Sequence, residues 1–397
     1  MLKGRHIALG ITGSIAAYKA ADLASKLTQA GALVDVLMTE ASTRFITPLT
    51  LRSLTGRPVF LDMFDPDTEL AEEHVEIARR AEAVLVAPAS ATTIAKLAQG
   101  LADDVVSLTV LATQAPVLIA PAMDHQMYEN AATQSNLETL RGRGYVIVGP
   151  AEGRLASGRM GLGRLVETDA LLGALKQALG RRGDLAGRRI VVTAGGTQEP
   201  IDPVRFVSNY SSGKMGYALA EAARDRGADV TLVTAPAALS CPYGVRLVPV
   251  RSAREMRDAV AAACESADAL IMAAAVADFQ PGEAAEHKIK KADKQALAIE
   301  LVPTPDILAE VRGDFVRVGF KAESQNVVEN AREMLKRKRL DLVVANDVTD
   351  PQSGFAVDTN RVTLVGASGA EELPVLPKYD VAQHVLDRVA ALLGKRH

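Results

Sequence analysis

Tryptophan is absent from this sequence, and aromatic residues make up only 4% of it. That removes the stacking platforms on which single-stranded nucleic acid is held. Neither sign of charge is in large excess: the formal net charge is −3 over 397 residues, so no basic field recruits nucleic acid. Only two cysteines occur, Cys241 and Cys264, which is too few for a disulfide or metal framework. No apolar run reaches the ~20 residues that span a bilayer, and MLKGRHIALG runs straight into a strand pattern instead of a signal peptide. Apolar residues, by contrast, are plentiful: 48% hydrophobic against 23% charged, a globular profile. A chain of this length is expected to hold about two domains. The reading is a soluble, cytoplasmic, two-domain α/β protein that engages neither nucleic acid nor membrane.

Apolar runs alternate with helical patterns along the chain. His6–Leu9 reads as a strand, GITGS as a turn, AAYKAADLASKLTQA as a helix stopped by Gly31, and Ala32–Met38 as the next strand. Ala83–Ala87, Val117–Ala120 and Tyr145–Val148 repeat the rhythm. This alternation predicts a doubly wound, mainly parallel sheet with its strand-to-helix loops on one edge. Gly13 and Ser14, Thr39, Ser90, and Met123 and Asp124 would then be neighbours. The glycines give GxxGxxA instead of the dinucleotide GxGxxG, yet Glu40 stands near the acidic position of that motif, so NAD binding stays open here. Glu152–Gly163 (EGRLASGRMGLG) is glycine-rich without periodicity and reads as a mobile lid.

After the helical pattern Thr168–Leu179 comes a glycine-punctuated joint, GRRGDLAGRR, which sets a boundary near residue 183 and domains 1–182 and 183–397. A second Rossmann-like sheet follows, with strands expected at 189–192, 230–233, 269–274, 316–320 and 342–345. The tail adds a strand pair, Val362–Val365 with Leu373–Leu376, and a helix Val381–Leu393. The densest chemistry lies at Asp202–Gly216, DPVRFVSNYSSGKMG, between a strand and a helix. Arg205, Asn209, Ser208, Ser211, Ser212, Gly213 and Lys214 make it a phosphate or carboxylate site. It is not a Walker A loop, because Met215 replaces the magnesium-binding hydroxyl. Further on, Lys288, Lys290 and Lys291 alternate in HKIKK after Asp278, a strand-end acid. Several cations and one acid suit a nucleotide triphosphate with its divalent ion, since Mg2+ favours phosphate oxygens and few carboxylates. Its metal ligands are left unassigned.

Six stretches in order, GITGSIAAYK, MTEAS, FITPL, HVEIARRAE, APASATTIAKLAQGLADD and PAMDHQMY, resemble the flavin-dependent cysteine decarboxylases. The match is best to the amino-terminal half of the bifunctional enzymes that make 4′-phosphopantetheine for coenzyme A. The resemblance implies a flavodoxin-like half that binds FMN, with its phosphate on Gly13, Ser14 and Ser90 and with Thr39 and Ser107 nearby. It also implies His74 as catalytic base. That role makes chemical sense: decarboxylation needs an electron sink, oxidation of the substrate's thiol to a thioaldehyde supplies one, and the thiol proton needs a base near neutral pKa.

The second half is similar to the phosphopantothenate–cysteine ligases over DPVRFVSNYSSGKMG, AAAVADF, KIKK, TPDIL, VGFKAE and LVVAND. The resemblance implies that the carboxylate of 4′-phosphopantothenate attacks CTP, giving an acyl-cytidylate and pyrophosphate, and that cysteine then displaces CMP. Asn209 would bind the acyl intermediate, Arg205 would support phosphate or carboxylate, and Lys288 would stabilise departing pyrophosphate. Ala273, Asp278, Asp306, Ile307, Phe320 and Lys338 would surround the nucleotide. Mg2+ or Mn2+ would accompany CTP. Homo-oligomers are implied too, trimers of the flavin half and dimers of the ligase half.

The sequence departs from the decarboxylase pattern where the substrate is handled. Asp124 stands for the Asn expected to bind the substrate's carboxylate, so burial protonates it, His125 takes over, or the pocket is altered. Thr92 replaces the more usual Asn or Asp. Ser157 stands where relatives carry the lid Cys that returns a proton, and serine is a far weaker acid than a thiol. Met334 replaces a frequent lysine of the ligase half. Two alternatives follow: an active ligase fused to an impaired or regulatory flavin-binding half, and an NAD-dependent reductase.

Overall fold

A computed structural model of the chain describes residues 1–62, 73–290, 297–323, 325–347, 354 and 357–395. The chain divides into two compact units, Met1–Leu179 and Gly180–His397. No helix among the described residues is long and apolar enough to cross a membrane.

In the first unit β1 (His6–Ile11), β2 (Leu33–Met38), β3 (Val59–Phe60), β4 (Ala83–Ala89), β5 (Val117–Pro121) and β6 (Val146–Ile147) form a sheet. Its order is β3-β2-β1-β4-β5-β6, parallel throughout. Helices cover both faces, which is why β4, AVLVAPA, is buried at every position and reads as a continuous apolar run. The order reverses between β1 and β4, and the crevice outside the carboxyl ends of these strands is where such sheets bind ligands.

The segment expected as an aperiodic lid is instead an antiparallel hairpin, β7 (Ala151–Arg154) with β8 (Met160–Arg164). Its alternation was hidden because the inward positions of β8 are glycines: Gly161 and Gly163 are buried between exposed neighbours. A Cβ on Gly163 would lie 2.2 Å from the Met123 carbonyl oxygen, and one on Gly161 2.8 Å from His125 Cγ. Only a side-chain-free strand fits so close.

The second unit holds β9 (Arg189–Ala194), β10 (Gln198–Pro200), β11 (Phe206–Ser208), β12 (Asp229–Thr234), β13 (Arg246–Pro249) and β14 (Ala269–Met272). Then come β15 (Phe279–Pro281), β16 (Leu301–Pro303), β17 (Val316–Glu323), β18 (Leu342–Asp347), β19 (Thr359–Asn360), β20 (Val362–Gly366), β21 (Gly369–Glu372) and β22 (Leu376–Pro377). The large sheet runs β13-β12-β9-β14-β17-β18-β20-β21, parallel up to β18 and antiparallel beyond it. The doubly wound, mainly parallel fold class is thus observed in both units.

The tail pairing differs in register from the expectation. β20 folds back through a tight turn onto Gly369–Glu372, not onto Leu373–Leu376. All four β21 residues are exposed, so no apolar pattern marks them. The stretch just after Asp278 also holds a short strand, since β15 pairs antiparallel with β16.

The core lies on both faces of the large sheet. On one face Val381, Val385 and Val389, four residues apart with Leu386 between, place a stripe of the helix Lys378–Gly394 against the helix Lys214–Asp225 and strand β17, in one buried cluster with residues of β9 and β12. Leu386 is fully buried there. Leu386→Ala is expected to lower the unfolding free energy by about 2–5 kcal/mol; an unchanged urea midpoint would show that this helix is not part of the core.

Candidate functional site

Each unit gathers its chemistry at the carboxyl edge of its own parallel sheet. In the first, β1 leads into Thr12–Ser14, and Thr12 ties two loops together. Its hydroxyl donates to the Pro88 carbonyl (2.8 Å) and accepts from the Ser90 amide (2.9 Å). Ser14 donates to the Ala122 carbonyl (3.1 Å) and accepts from the Ala16 amide. Ser90 caps the helix Ala91–Gln99 by accepting from the Thr93 amide (3.2 Å). Gly13 passes so near the next loop that a Cβ would sit 2.7 Å from Ala41 Cβ. The hydroxyl oxygen of Thr39, at the end of β2, is buried with no partner among the described residues. Ser107 is buried deeper, in the capping box that opens Val105–Ala112 with Asp104. Gly13, Ser14, Thr39 and Ser90 therefore do share one edge, with a serine-capped helix start and an orphaned hydroxyl that suit the phosphate of a bound cofactor. Thr12, which pegs the arrangement, carried no signal of its own in the sequence.

His74 sits in the first turn of the helix Glu73–Arg80, half-buried. That helix leads into β4 antiparallel to the strands, which puts its first turn toward the same edge. Asp124 caps the helix His125–Glu129, its Oδ1 accepting from the Gln126 amide (3.1 Å), while its Oδ2 accepts from the Ser157 hydroxyl (2.8 Å). The two substituted positions thus meet each other. Ser157's hydrogen bond, then the Gln126 amide, hold the Asp124 carboxyl below the usual carboxylate range, so burial does not protonate it. His125 is occupied as well, between the Leu162 carbonyl (3.2 Å) and Glu129 (3.2 Å). Met123 donates its amide to the Gly163 carbonyl (2.9 Å). The hairpin is fastened to the loop after β5 at three points.

In the second unit, β9 ends in the turn Thr193–Thr197. Thr193 and Thr197, both fully buried, accept from the amides of Ala274 (3.0 Å) and Ala277 (2.9 Å), fixing the loop after β14. Asn209 Nδ2 donates to the Val276 carbonyl on that loop (3.0 Å). Gly213, at φ 74°, turns the chain into the helix Lys214–Asp225. A Cβ on Gly216 would meet Ala194 Cβ and the Thr193 carbonyl oxygen at 2.6 Å, so only glycine lets the helix start this close to β9.

Around these loops opens a cleft of about 840 Å³. Asn209, Ala273 and Asp278 line it on one side, and Asp306, Ile307, Phe320 and Lys338 on the other. Lys338 pairs with Asp306 (2.9 Å), which also caps the short helix Ile307–Glu310. Met334 is a buried core residue at the cleft floor. Three further lysines stand here too: Lys214, from the Asp202–Gly216 stretch, and Lys321 and Lys378, which the sequence did not single out. Lys214 pairs with Asp358 (2.7 Å) and Lys321 with Glu323 (2.8 Å). Lys378 is buried, donating to the carbonyls of Gly354 (3.1 Å) and Val357. Burial, with Lys214 nearby, pulls its pKa below that of an ordinary lysine. One lysine at a helix start has no spacing to announce it.

Arg205 and Lys288 do not line the cleft. The Arg205 guanidinium grips Asp202 (Nε to Oδ2, 2.9 Å) and donates to the Ile289 carbonyl (2.7 Å). Asp202 accepts in addition from the amides of Val204, Arg205 and Ile289. Burial works to raise the Asp202 pKa, but Arg205 and these amides outweigh it and hold the carboxylate ionised far below its usual range. The exposed Lys288 is thereby clamped beside the Asp202–Gly216 stretch. Lys291 lies outside the described residues. No group of three or more metal-ligating side chains occurs among the described residues.

The family model described as Flavoprotein matches residues 1–180, and that described as DNA/pantothenate metabolism flavoprotein C-terminal domain matches residues 185–393. The chain is 46% identical over 390 residues to the coenzyme A biosynthesis bifunctional protein CoaBC of Vibrio cholerae, covering 97% of this chain and 98% of that protein. To the protein of the same name from Bacillus subtilis it is 44% identical over 399 residues (99% and 98% covered), and to that from Escherichia coli K12 45% over 403 (100% and 99%). Across both sheets and both loop edges, the chain belongs to the family of bifunctional coenzyme A biosynthesis proteins.

Proposed function

We propose that this protein joins 4′-phosphopantothenate to cysteine at the expense of CTP and then decarboxylates the product to 4′-phosphopantetheine, in the cytoplasm. The observation that carries the ligase reading is the 840 Å³ cleft, which collects Asn209, Asp278 and Lys214, Lys321, Lys338 and Lys378 at one sheet edge. A triphosphate spreads its charge over three groups, and lysines from four separate elements suit that spread. Phe320 and Ile307 offer apolar walls for the base, with Ala273 and the Asp306–Lys338 pair beside it. Mg2+ or Mn2+ would be held chiefly by phosphate oxygens, with Asp278 as the strand-end carboxylate beside them.

Asn209 is already oriented by its bond to the Val276 carbonyl, which leaves its carbonyl oxygen and remaining N–H for an activated acyl group. Its role is to hold that group while the cysteine amine attacks. Arg205 acts through Asp202: the clamp positions Lys288, which meets the departing pyrophosphate. Exposed apolar side chains next to this loop, Phe206, Tyr210 and Phe279, at 50%, 89% and 51% exposure, favour a self-associating ligase half, in keeping with dimers. Trimers of the flavin half are part of the same proposal.

For the first unit we propose FMN on Gly13, Ser14, Thr39 and Ser90, with Ser107 supporting the helix that backs them. Bound flavin would supply reversible two-electron oxidation of the substrate's thiol. His74 takes the thiol proton, and CO2 leaves once the neighbouring C=S can accept the electrons. Ser157, joined to Asp124, occupies the place from which the proton must return. A second reading is favoured by one observation: with the Ser157 hydroxyl donated to Asp124, the reductive half is slow or lost, leaving an active ligase fused to an impaired or regulatory flavin-binding half.

Incubation with 4′-phosphopantothenate, cysteine, CTP and Mg2+ is expected to yield CMP and pyrophosphate; ATP consumption instead, or no product, would remove the ligase assignment. Asn209→Asp should lower that turnover by roughly 10²–10³-fold, the loss typical of one oriented donor, with the circular dichroism spectrum intact. Asp202→Asn should raise KM for the acidic substrate. Because the Asp202 pKa is depressed on folding, its stabilisation is full above about pH 4 and drains as pH falls, so this variant should show a flatter acid-unfolding profile. Mass spectrometry separates the two readings of the flavin half: loss of CO2 alone is expected of a complete reaction, loss of CO2 and two hydrogens of a stalled one. In either case Ser157→Cys should speed the reductive step by roughly 10²-fold, the low end for a positioned acid.

A further inference from the structure

A second, smaller recess of about 370 Å³ lies on the unit Gly180–His397, away from the loops of Asn209 and Asp278. Five cations line it, Arg312, Arg317, Arg337, Lys338 and Arg339, against two acids, Asp314 and Asp341. The cations come from different elements: Arg312 from the loop after Ile307–Glu310, Arg317 from β17, and the others from the end of the helix Val327–Arg337 and the turn beyond it. Cations at a helix end complement its dipole, and Arg317 caps the carbonyls there, but neither accounts for Arg312 beside them.

Arg317 is the pivot. It is 8% exposed, its Nη1 donates to the carbonyls of Lys338 (3.0 Å) and Arg339 (3.3 Å), and its Nη2 donates to that of Leu308. Its Nε–H is buried with no partner among the described residues, a deficit that native structures seldom leave unfilled. Asp341 is turned to the Arg317 amide (2.7 Å). Arg339 holds a left-handed backbone, φ 52°, at a helix terminus where glycine is usual. Neither Arg337 nor Arg339 has an ion-pair partner among the described residues.

We propose that this recess is a binding site for a small phosphorylated anion, its phosphate oxygens taken by Arg312, Arg317, Arg337 and Arg339. Guanidinium groups match phosphate in a bidentate fashion, and the volume is at the small end of ligand sites. The recess borders the larger cleft, since Arg337 and Lys338 line both. Lys338 gives its carbonyl to Arg317 and its ammonium to Asp306, so occupancy of the recess acts on a cleft residue through one short connection. The two sites are therefore coupled, and reciprocally so. None of this rests on the reaction assigned to the larger cleft.

Titration calorimetry of the full chain with inorganic pyrophosphate at low ionic strength tests it. Two classes of site are expected, and the double variant Arg312→Gln, Arg339→Asn should weaken one of them by about tenfold or more while leaving the other intact. Both side chains are exposed and Asn tolerates positive φ, so the fold should survive. Running AMP in parallel separates the sources: second-class binding by both ligands assigns recognition to the phosphate, and by AMP alone to a nucleotide, either of which supports the site. A single class for both ligands in the native protein, or two classes unchanged in the variant, would overturn it.

Discussion

A sheet whose strands all run one way must deliver every strand-to-helix loop to the same edge, and both units depend on that constraint. It brings the turn after β1 beside the loops after β4 and β5, and the turn after β9 beside the loop after β14, across long sequence separations. The chemistry then collects where the strand order reverses, because two neighbouring loops part there and leave a crevice. In the first unit Thr12 bridges that crevice, and in the second the Thr193–Thr197 turn does.

Loops at such an edge are partly buried without a ladder of their own, and their amides would be costly to leave unpaired. Buried hydroxyls and one carboxylate meet the need. Thr193 and Thr197 take amides of the loop after β14, and Asp202 takes three backbone amides and a guanidinium. These groups make the site rigid before any substrate arrives. They also explain why Arg205 stands outside the cleft: its charge is already matched by Asp202, and it works by holding the Lys288 segment in place.

The two substitutions in the first unit illustrate coupling that spacing does not reveal. Asp124 and Ser157 lie on separate segments, yet in the folded unit they share a hydrogen bond. A carboxylate and a hydroxyl at those positions form a matched acceptor and donor. The glycines of β8 allow the hairpin backbone to lie against Met123 and His125.

Much of the fold was legible because burial on both faces writes parallel strands as continuous apolar runs, and helices between them keep a 3.6-residue period. AVLVAPA and the Val381, Val385, Val389 stripe are of this kind. The phosphate-type loops were legible too, as Gly, Ser and Lys packed between a strand and a helix. Hairpin β7/β8 was not, since its inward residues are glycines, and β21 was not, since it is exposed on every residue. The sequence by itself therefore determined the two α/β sheets, the edge on which each site lies and the candidate residues Asn209, Asp278, Ser90 and Thr39. Only the tertiary structure decided that Lys378 joins the cleft, that Asp202 ties Arg205 to the Lys288 segment and that Asp124 meets Ser157. Periodicity records which face of an element is buried, whereas these contacts depend on which distant elements the fold sets side by side.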